Sequence, residues 1–242
     1  MPQPSSPSVT VVIPVHNEAG YLPQALPQLF AEMEIVNADV SVVIAENGST
    51  DNTADLVREA MKVYPSLSLL ELPTPDYGAA MREGFLQATT DWVANFDIDY
   101  FSGSFLNAAL EVTDSADIVL ASKRVEGADD QRGTVRIFAT WTFNQILRIA
   151  LSSGVSDTHG MKLVRKTVVD AVGPEVISTT DLYDTELVVR AERAGFTIVE
   201  LPASVVELRD TKSSLVKRVP RTLKGVWKIR KDLKGASPFQ GG

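Results

Sequence analysis

Cysteine is absent from the 242 residues, which excludes a disulfide framework and any thiolate-held metal. No uninterrupted apolar run reaches the roughly 18 residues that a membrane-spanning helix needs. The opening Met-Pro-Gln-Pro-Ser-Ser-Pro-Ser lacks the cationic and apolar regions of a signal peptide, and residues 1–8 read as a disordered lead-in. Internal repeats and low-complexity tracts are missing too. These absences lead to the expectation of a cytoplasmic protein of one or two domains. What is present suits a soluble chain with one sizeable core: 44% hydrophobic and 22% charged residues.

The net charge of −8 conceals a division. Between Arg209 and Lys234 stand ten Lys or Arg against two Asp, a local +8, so the remainder carries −16. A basic segment on an acidic body points to a partner. Within it Leu215, Val216, Val219, Leu223, Val226, Trp227 and Ile229 are interleaved with Lys217, Arg218, Arg221, Lys224, Lys228, Arg230 and Lys231. This predicts a basic amphipathic helix over Ser213–Leu233, interrupted at Pro220, of the kind that lies on anionic membrane surfaces. Residues 209–235 are therefore expected to face a membrane and 236–242 to form a flexible tail. The protein would be peripheral at the cytoplasmic face, with room for a separate membrane-anchor protein. Nucleic acid, the rival partner for a basic stretch, is not expected, because the body is acidic and carries no nucleic-acid motif.

Short β-branched or apolar runs at Val9–Ile13, Val40–Ala45, Leu67–Leu72 and Asp117–Ala121 read as buried strands. Helical patterns separate them: Tyr21–Val36, with Pro27 forcing a late start or a kink, a stripe from Leu56 to about Tyr64, Gly78–Ala88, and Ser104–Val112. Beyond these, a long helix is predicted over Val135–Leu151, a strand over Gly160–Val164, a helix over Asp181–Ala194 and a strand over Thr197–Leu201. Alternation of this kind predicts an α/β fold with a mostly parallel sheet, in which ligands bind beyond the carboxyl ends of the strands. The loops at Pro14, Glu46 and Asp97 should share that edge.

Asp91–Phe101 is the stretch with the clearest chemistry. Trp92, Val93, Ala94 and Phe96 read as a buried strand running into Asp97 and Asp99. At a strand end, residues i and i+2 point to the same side, and two carboxylates so placed repel unless a cation lies beside them. Oxygen ligands suit Mg²⁺ or Mn²⁺, with a substrate's phosphates completing the shell. The alternative is that both aspartates are simply turn residues.

Three stretches then agree in order and spacing: Val11-Val12-Ile13-Pro14-Val15-His16-Asn17-Glu18, Glu46-Asn47-Gly48-Ser49-Thr50-Asp51-Asn52-Thr53, and Asp97-Ile98-Asp99. Together they resemble the family-two glycosyltransferases of GT-A fold, and are most similar to dolichol-phosphate mannose synthase and its bacterial polyprenyl-phosphate relatives. The resemblance spans roughly residues 9–215 and continues through Arg136, Thr140 and Asn144, through Asp157-Thr158-His159-Gly160-Met161-Lys162, and through Tyr183-Asp184-Thr185-Glu186-Leu187 with Gly195 and Glu200-Leu201-Pro202.

It implies a glycosyltransferase domain over residues 9–208, with Pro14 and His16 lining the base pocket, and Glu18, Glu46 and Asp51 meeting the nucleoside. Asp97, Ile98 and Asp99 would bind the donor, and Asp97 and Asp99 would hold the metal that neutralises a leaving diphosphate. Gly48–Asp51 reads equally as a turn with a helix cap, and Gly78 and Arg82 as a helix start with a solvated arginine. Two residues depart from the family pattern: Glu46 stands where Asp is frequent, and Phe101 stands where a Gln commonly assists the metal.

An alcohol acceptor needs a general base, whereas a phosphate monoester is already mostly ionised near neutral pH and needs cations to hold it. Lys123, Arg136 and Arg209 match family positions for that role, with Lys123 and Arg136 also counted as catalytic; Arg124 stands in the same cationic stretch, and Arg132 reads as solvated. Asp184 and Glu186 are the base candidates for a hydroxyl acceptor, or else an exposed helix start. The expected function is inverting transfer of a hexose from GDP-mannose or a UDP-sugar to polyprenyl or dolichyl phosphate. The alternatives are the same donor chemistry onto a hydroxyl, and a non-catalytic nucleotide-sugar-binding adaptor.

Overall fold

The computed structural model describes residues 6–122, 129–130, 145, 150–151, 153–155, 160–178, 182–202, 204–205 and 215–235. Its centre is a seven-stranded sheet in the order β3-β2-β1-β4-β7-β5-β8. The strands are β1 (Ser8–Val15), β2 (Asp39–Asn47), β3 (Leu67–Leu72), β4 (Trp92–Asn95), β5 (Ile118–Ser122), β7 (Lys162–Arg165) and β8 (Ile198–Pro202). All pairings are parallel except those of β7, which runs antiparallel to both β4 and β5. Two short segments, β6 (Asp129–Asp130) and β9 (Ser204–Val205), pair separately.

Because successive side chains on a strand alternate between faces, β1 serves two cores at once. Val9, Val11, Ile13 and Val15 face one layer, with α1 (Leu22–Glu34), α2 (Thr53–Met61) and α4 (Gly103–Leu110). Val12 faces the other, with α3 (Tyr77–Gln87), α5 (Lys166–Val172) and α6 (Tyr183–Arg193). A third cluster joins α6 to the terminal helix α7 (Leu215–Gly235).

Pro27 lies inside α1, and the helix starts at Leu22 all the same. The proline forgoes only the bond to the Pro23 carbonyl, while Leu22, Ala25, Leu26, Leu29, Phe30 and Met33 bury a continuous stripe. Two expectations are corrected. The fourth strand ends at Asn95, so it does not run through Phe96 into Asp97. The terminal helix α7 runs through Pro220 without interruption. The expected helix over 135–151 lies almost wholly outside the described residues; Gln145, Ala150 and Leu151 within it are helical.

The two helices α1 and α4 meet at Gly103, whose amide donates to Glu32 Oε2 at 2.7 Å. A Cβ there would stand 2.1 Å from the Glu32 carbonyl oxygen, a backbone atom that cannot step aside. Gly103→Ala should therefore lower stability by about 1–3 kcal/mol, read as an earlier denaturant midpoint at unchanged slope. An unshifted midpoint would mean the helices are not this close.

Candidate active site

Parallel pairing places Val15 opposite Glu46 and Val12 opposite Asn95. The chain segments after β1, β2 and β4 therefore emerge at one edge of the sheet, as the alternation predicted. The first two are laced together. Asn17, at φ 56°, takes a left-handed conformation that Asn tolerates better than most residues. Its amide N–H donates to Ser49 Oγ at 2.9 Å, and its Oδ1 accepts from the Thr50 amide at 2.8 Å. His16 Nδ1 lies 2.9 Å from the Asn47 carbonyl and can only donate to it, so Nε2 accepts from Asn17 Nδ2 at 3.1 Å. This assigns the neutral tautomer by its partners. Gly48, at φ +66°, lets the β2 loop lie against Thr74 and Pro75, where a Cβ would be 2.8 Å from backbone atoms.

The residues expected at the nucleoside have these positions. Pro14 is buried at the end of β1, and exposed His16 follows Val15. The Glu18 amide donates to Thr53 Oγ1 at 2.9 Å, and its carbonyl accepts the amides that open α1. Glu46 is buried and accepts from the Ser49 amide. Asp51, two residues before α2 begins, accepts from the Thr53 amide at 3.0 Å and from the Ala19 amide at 3.2 Å, while the N-cap itself is Asn52, whose side chain makes no capping bond.

Asp97 and Asp99 belong to a tight turn, not to the strand. The Asp97 amide donates to the Tyr100 carbonyl at 3.2 Å, and the Tyr100 amide returns a bond at 3.0 Å. Asp97 is exposed and Asp99 half-exposed, while Ile98 between them is buried in the main core. The Ile98 side chain therefore anchors the turn and leaves only its backbone for the donor-binding role expected of it. Phe101 packs against the same core, which is what the aromatic does where a metal-assisting Gln would stand. No group of three or more His, Cys, Asp or Glu among the described residues surrounds a common point. The oxygen donor set of two carboxylates still fits Mg²⁺ or Mn²⁺, provided phosphate and water supply the remaining ligands.

Beneath this edge lies a cluster that no single stretch of sequence announces. Lys162, on β7, has 0% exposure, donates to Asn95 Oδ1 at 2.7 Å and to the Gly160 carbonyl at 2.9 Å, and forms an ion pair with Asp184, whose Oδ1 lies 3.0 Å from Nζ. Asp184, 4% exposed at the start of α6, accepts from the Tyr77 hydroxyl at 2.9 Å through its other oxygen. Burial, followed by the charges of Asp184 and Asp97, pushes the Tyr77 phenol well above its usual range, so Tyr77 remains a donor. The signals were a polar Asn95 inside an apolar strand and Lys162 between Met161 and Leu163.

Glu186 is fully buried. Its carboxylate accepts from the Ile177 and Ser178 amides at 3.0 and 2.9 Å and from Arg190 Nε at 2.8 Å. Neither Asp184 nor Glu186 is an exposed helix start: both are buried. Arg82 turns toward the Pro174 carbonyl, 3.5 Å away, while Gly78 is buried in α3. Lys123, Arg136 and Arg209 lie outside the described residues, as do Arg124, Arg132, Thr140, Asn144 and Asp157–His159.

Removing one partner of the Lys162–Asp184 pair strands the other charge in the interior. Lys162→Met is expected to cost about 3–5 kcal/mol, and Lys162→Met with Asp184→Leu less than the sum of the single changes, in a double-mutant cycle by denaturant titration. Additive losses would deny the coupling. The Asp51 carboxyl is held below 3.8, chiefly by the Thr53 hydroxyl. Its folded value being the lower one, its contribution is complete above 3.8 and fades as pH falls through that folded value. The stability of Asp51→Asn should accordingly fall less steeply than that of the parent chain in that acid range.

The chain matches the model of the Glycosyl transferase family 2 over residues 10–173. An uncharacterized glycosyltransferase of Mycobacterium tuberculosis is 30% identical over 200 residues, 81% of this chain and 84% of that protein. A dolichyl-phosphate beta-glucosyltransferase of Trichomonas vaginalis is 27% identical over 252 residues, 94% of this chain and 77% of its own length. Among solved structures, a mannosyltransferase of Pyrobaculum calidifontis in complex with GDP-Man and Mn²⁺ superimposes with a TM-score of 0.65 at 20% identity, over 99% of this chain and 69% of that one. Glucosyl-3-phosphoglycerate synthase of M. tuberculosis, with Mn²⁺, UDP and its product, gives 0.65 at 16% identity, over 93% and 80%. The polar edge and its turn of two aspartates are thus carried on a GT-A fold, and the chain belongs to glycosyl transferase family 2.

Proposed function

We propose that this protein is an inverting, metal-dependent glycosyltransferase that moves a hexose from a nucleotide-diphosphate sugar, GDP-mannose or a UDP-sugar, to polyprenyl or dolichyl phosphate. The donor class is supported by the turn of Asp97 and Asp99 beside two laced loops, and by similarity to proteins whose structures hold GDP-Man or UDP with Mn²⁺. Asp97 and Asp99 would hold Mg²⁺ or Mn²⁺, which supplies charge neutralisation at the departing diphosphate. Pro14, His16, Glu18, Glu46 and Asp51 would shape the nucleoside side of the site.

The acceptor class rests on one observation: both carboxylates suited to act as a base are buried and committed, Asp184 to Lys162 and Tyr77, Glu186 to two amides and Arg190. An acceptor that arrives already ionised needs no base, and a lipid phosphate is one. Its phosphate oxygen would attack the anomeric carbon as the bond from that carbon to the diphosphate breaks, and the electron pair leaves with the nucleoside diphosphate. No proton has to be taken up. Lys123, Arg136 and Arg209 would hold the acceptor phosphate, which is consistent with relatives named dolichyl-phosphate beta-glucosyltransferases.

Polyprenyl phosphate with each labelled nucleotide sugar should give a glycolipid detectable by mass spectrometry, and transfer to an alcohol alone would overturn the acceptor. Melting with GDP, UDP or their sugars should rise only when Mn²⁺ or Mg²⁺ is present. At a hundredfold excess over Kd the expected gain is about 2.7 kcal/mol, and chelator should abolish it. Asp97→Asn or Asp99→Asn should lower kcat/KM about 100-fold or more with the fold intact. Donor binding with no turnover on any acceptor would instead indicate an adaptor.

A further inference from the structure

The terminal helix was expected to lay its apolar stripe on a membrane. That stripe is used elsewhere: Val226, Ile229 and Leu233 are buried with Leu151, Leu182 and Val189. Asp232 pairs with Arg190, and Arg193 reaches the Leu233 carbonyl at 3.3 Å. At Gly225 the contact is so close that a Cβ would fall 2.5 Å from Leu182 Cδ1. What α7 presents outward is a different set of residues. Trp227 is 65% exposed and Leu223, one turn earlier, 43%. Lys224, Lys228 and Lys231 are exposed too, and Lys231 Nζ lies 5.7 Å from the Trp227 ring. At 100° per residue these five side chains occupy an arc of about 140°, opposite the buried one.

We propose that this outer face of α7 docks on an anionic lipid bilayer, with Trp227 entering the headgroup layer and the lysines meeting lipid phosphates. The inference goes beyond the acceptor reading and stands whatever the acceptor is. Two apolar side chains among lysines make a patch far smaller than the roughly 800 Å² per partner that a stable protein interface buries. A charged bilayer asks for less: shallow insertion of an aromatic plus Coulomb attraction. The charge division fixes the orientation, because the −16 outside Arg209–Lys234 is repelled by the same surface that attracts the +8 within.

Geometry adds a consequence for the site. The helices α6 and α7 run in the same direction, Gly225 lying at Leu182 where α6 begins and Leu233 at Arg193 where it ends. The start of α6 holds Asp184 against Lys162 and Asn95, at the polar edge. Leu215–Lys224 therefore extends about 15 Å beyond the start of α6, on the side of that edge. A bilayer held by α7 would thus lie beside the site and not behind it.

Sedimentation of the full chain with vesicles tests this without donor or acceptor. Binding should be strong to phosphatidylcholine vesicles containing phosphatidylserine, absent from phosphatidylcholine alone, and reversed by high salt. Lys224→Gln with Lys228→Gln and Lys231→Gln should weaken it about tenfold or more, at roughly fivefold per lysine before saturation. Trp227→Ala should weaken it and remove the quenching of tryptophan emission by brominated lipid chains. Unchanged melting will certify both variants as folded, since all four residues are exposed. Equal binding to neutral vesicles, undiminished binding by the triple variant, or no binding at all would overturn the proposal. So would tighter binding to a single-stranded oligonucleotide through the same lysines.

Discussion

A lysine ammonium with no exposed surface has to be neutralised and hydrogen-bonded where it lies, and Lys162 imposes that requirement on four elements at once. Its partners come from β4 through Asn95, from the turn before β7 through the Gly160 carbonyl, and from α6 through Asp184, which in turn draws in Tyr77 of α3. Displacing any of them leaves a charge or a donor unmet in a medium where that is costly. The arrangement specifies how α3 and α6 lie against the sheet more sharply than apolar packing alone would, and it does so directly below the turn that carries Asp97 and Asp99.

Much of the architecture was legible in the sequence because the central parallel strands β1, β4 and β5 are buried on both faces and so read as short apolar runs. Val9–Ile13 and Leu67–Leu72 needed no further information. The misreadings have local causes. Ile98 looked like a continuing strand residue, yet its burial secures a turn, so the two aspartates share a surface for a reason other than strand alternation. Lys162, Asn95 and Asp184 could not be connected from the sequence alone, being brought together only by the antiparallel insertion of β7.

The same distinction separates two meanings of an amphipathic helix. Periodicity in Ser213–Leu233 reveals that one face is apolar but not what covers it. Here α6 covers it, through Leu182 and Val189. Asp184 and Glu186 illustrate the converse. Acidic residues in a first helical turn suggest exposure and a favourable dipole, whereas both are interior ligands of cations and amides. Their burial is the observation on which the proposal of a phosphate acceptor rests.

The reversed strand β7 also bears on the order in which the molecule is completed. During synthesis β1 to β4 emerge as neighbours or near neighbours, but β7 must enter between β4 and β5, and its bond to Asn95 spans 67 residues. Lys162 leaves the ribosome before Asp184, so its charge stays hydrated until α6 arrives to neutralise it. Contacts of such separation form late because the intervening chain must first give up its freedom. The centre of this sheet is consequently among its last parts to close, and the closing waits on a helix encoded in the final third of the chain.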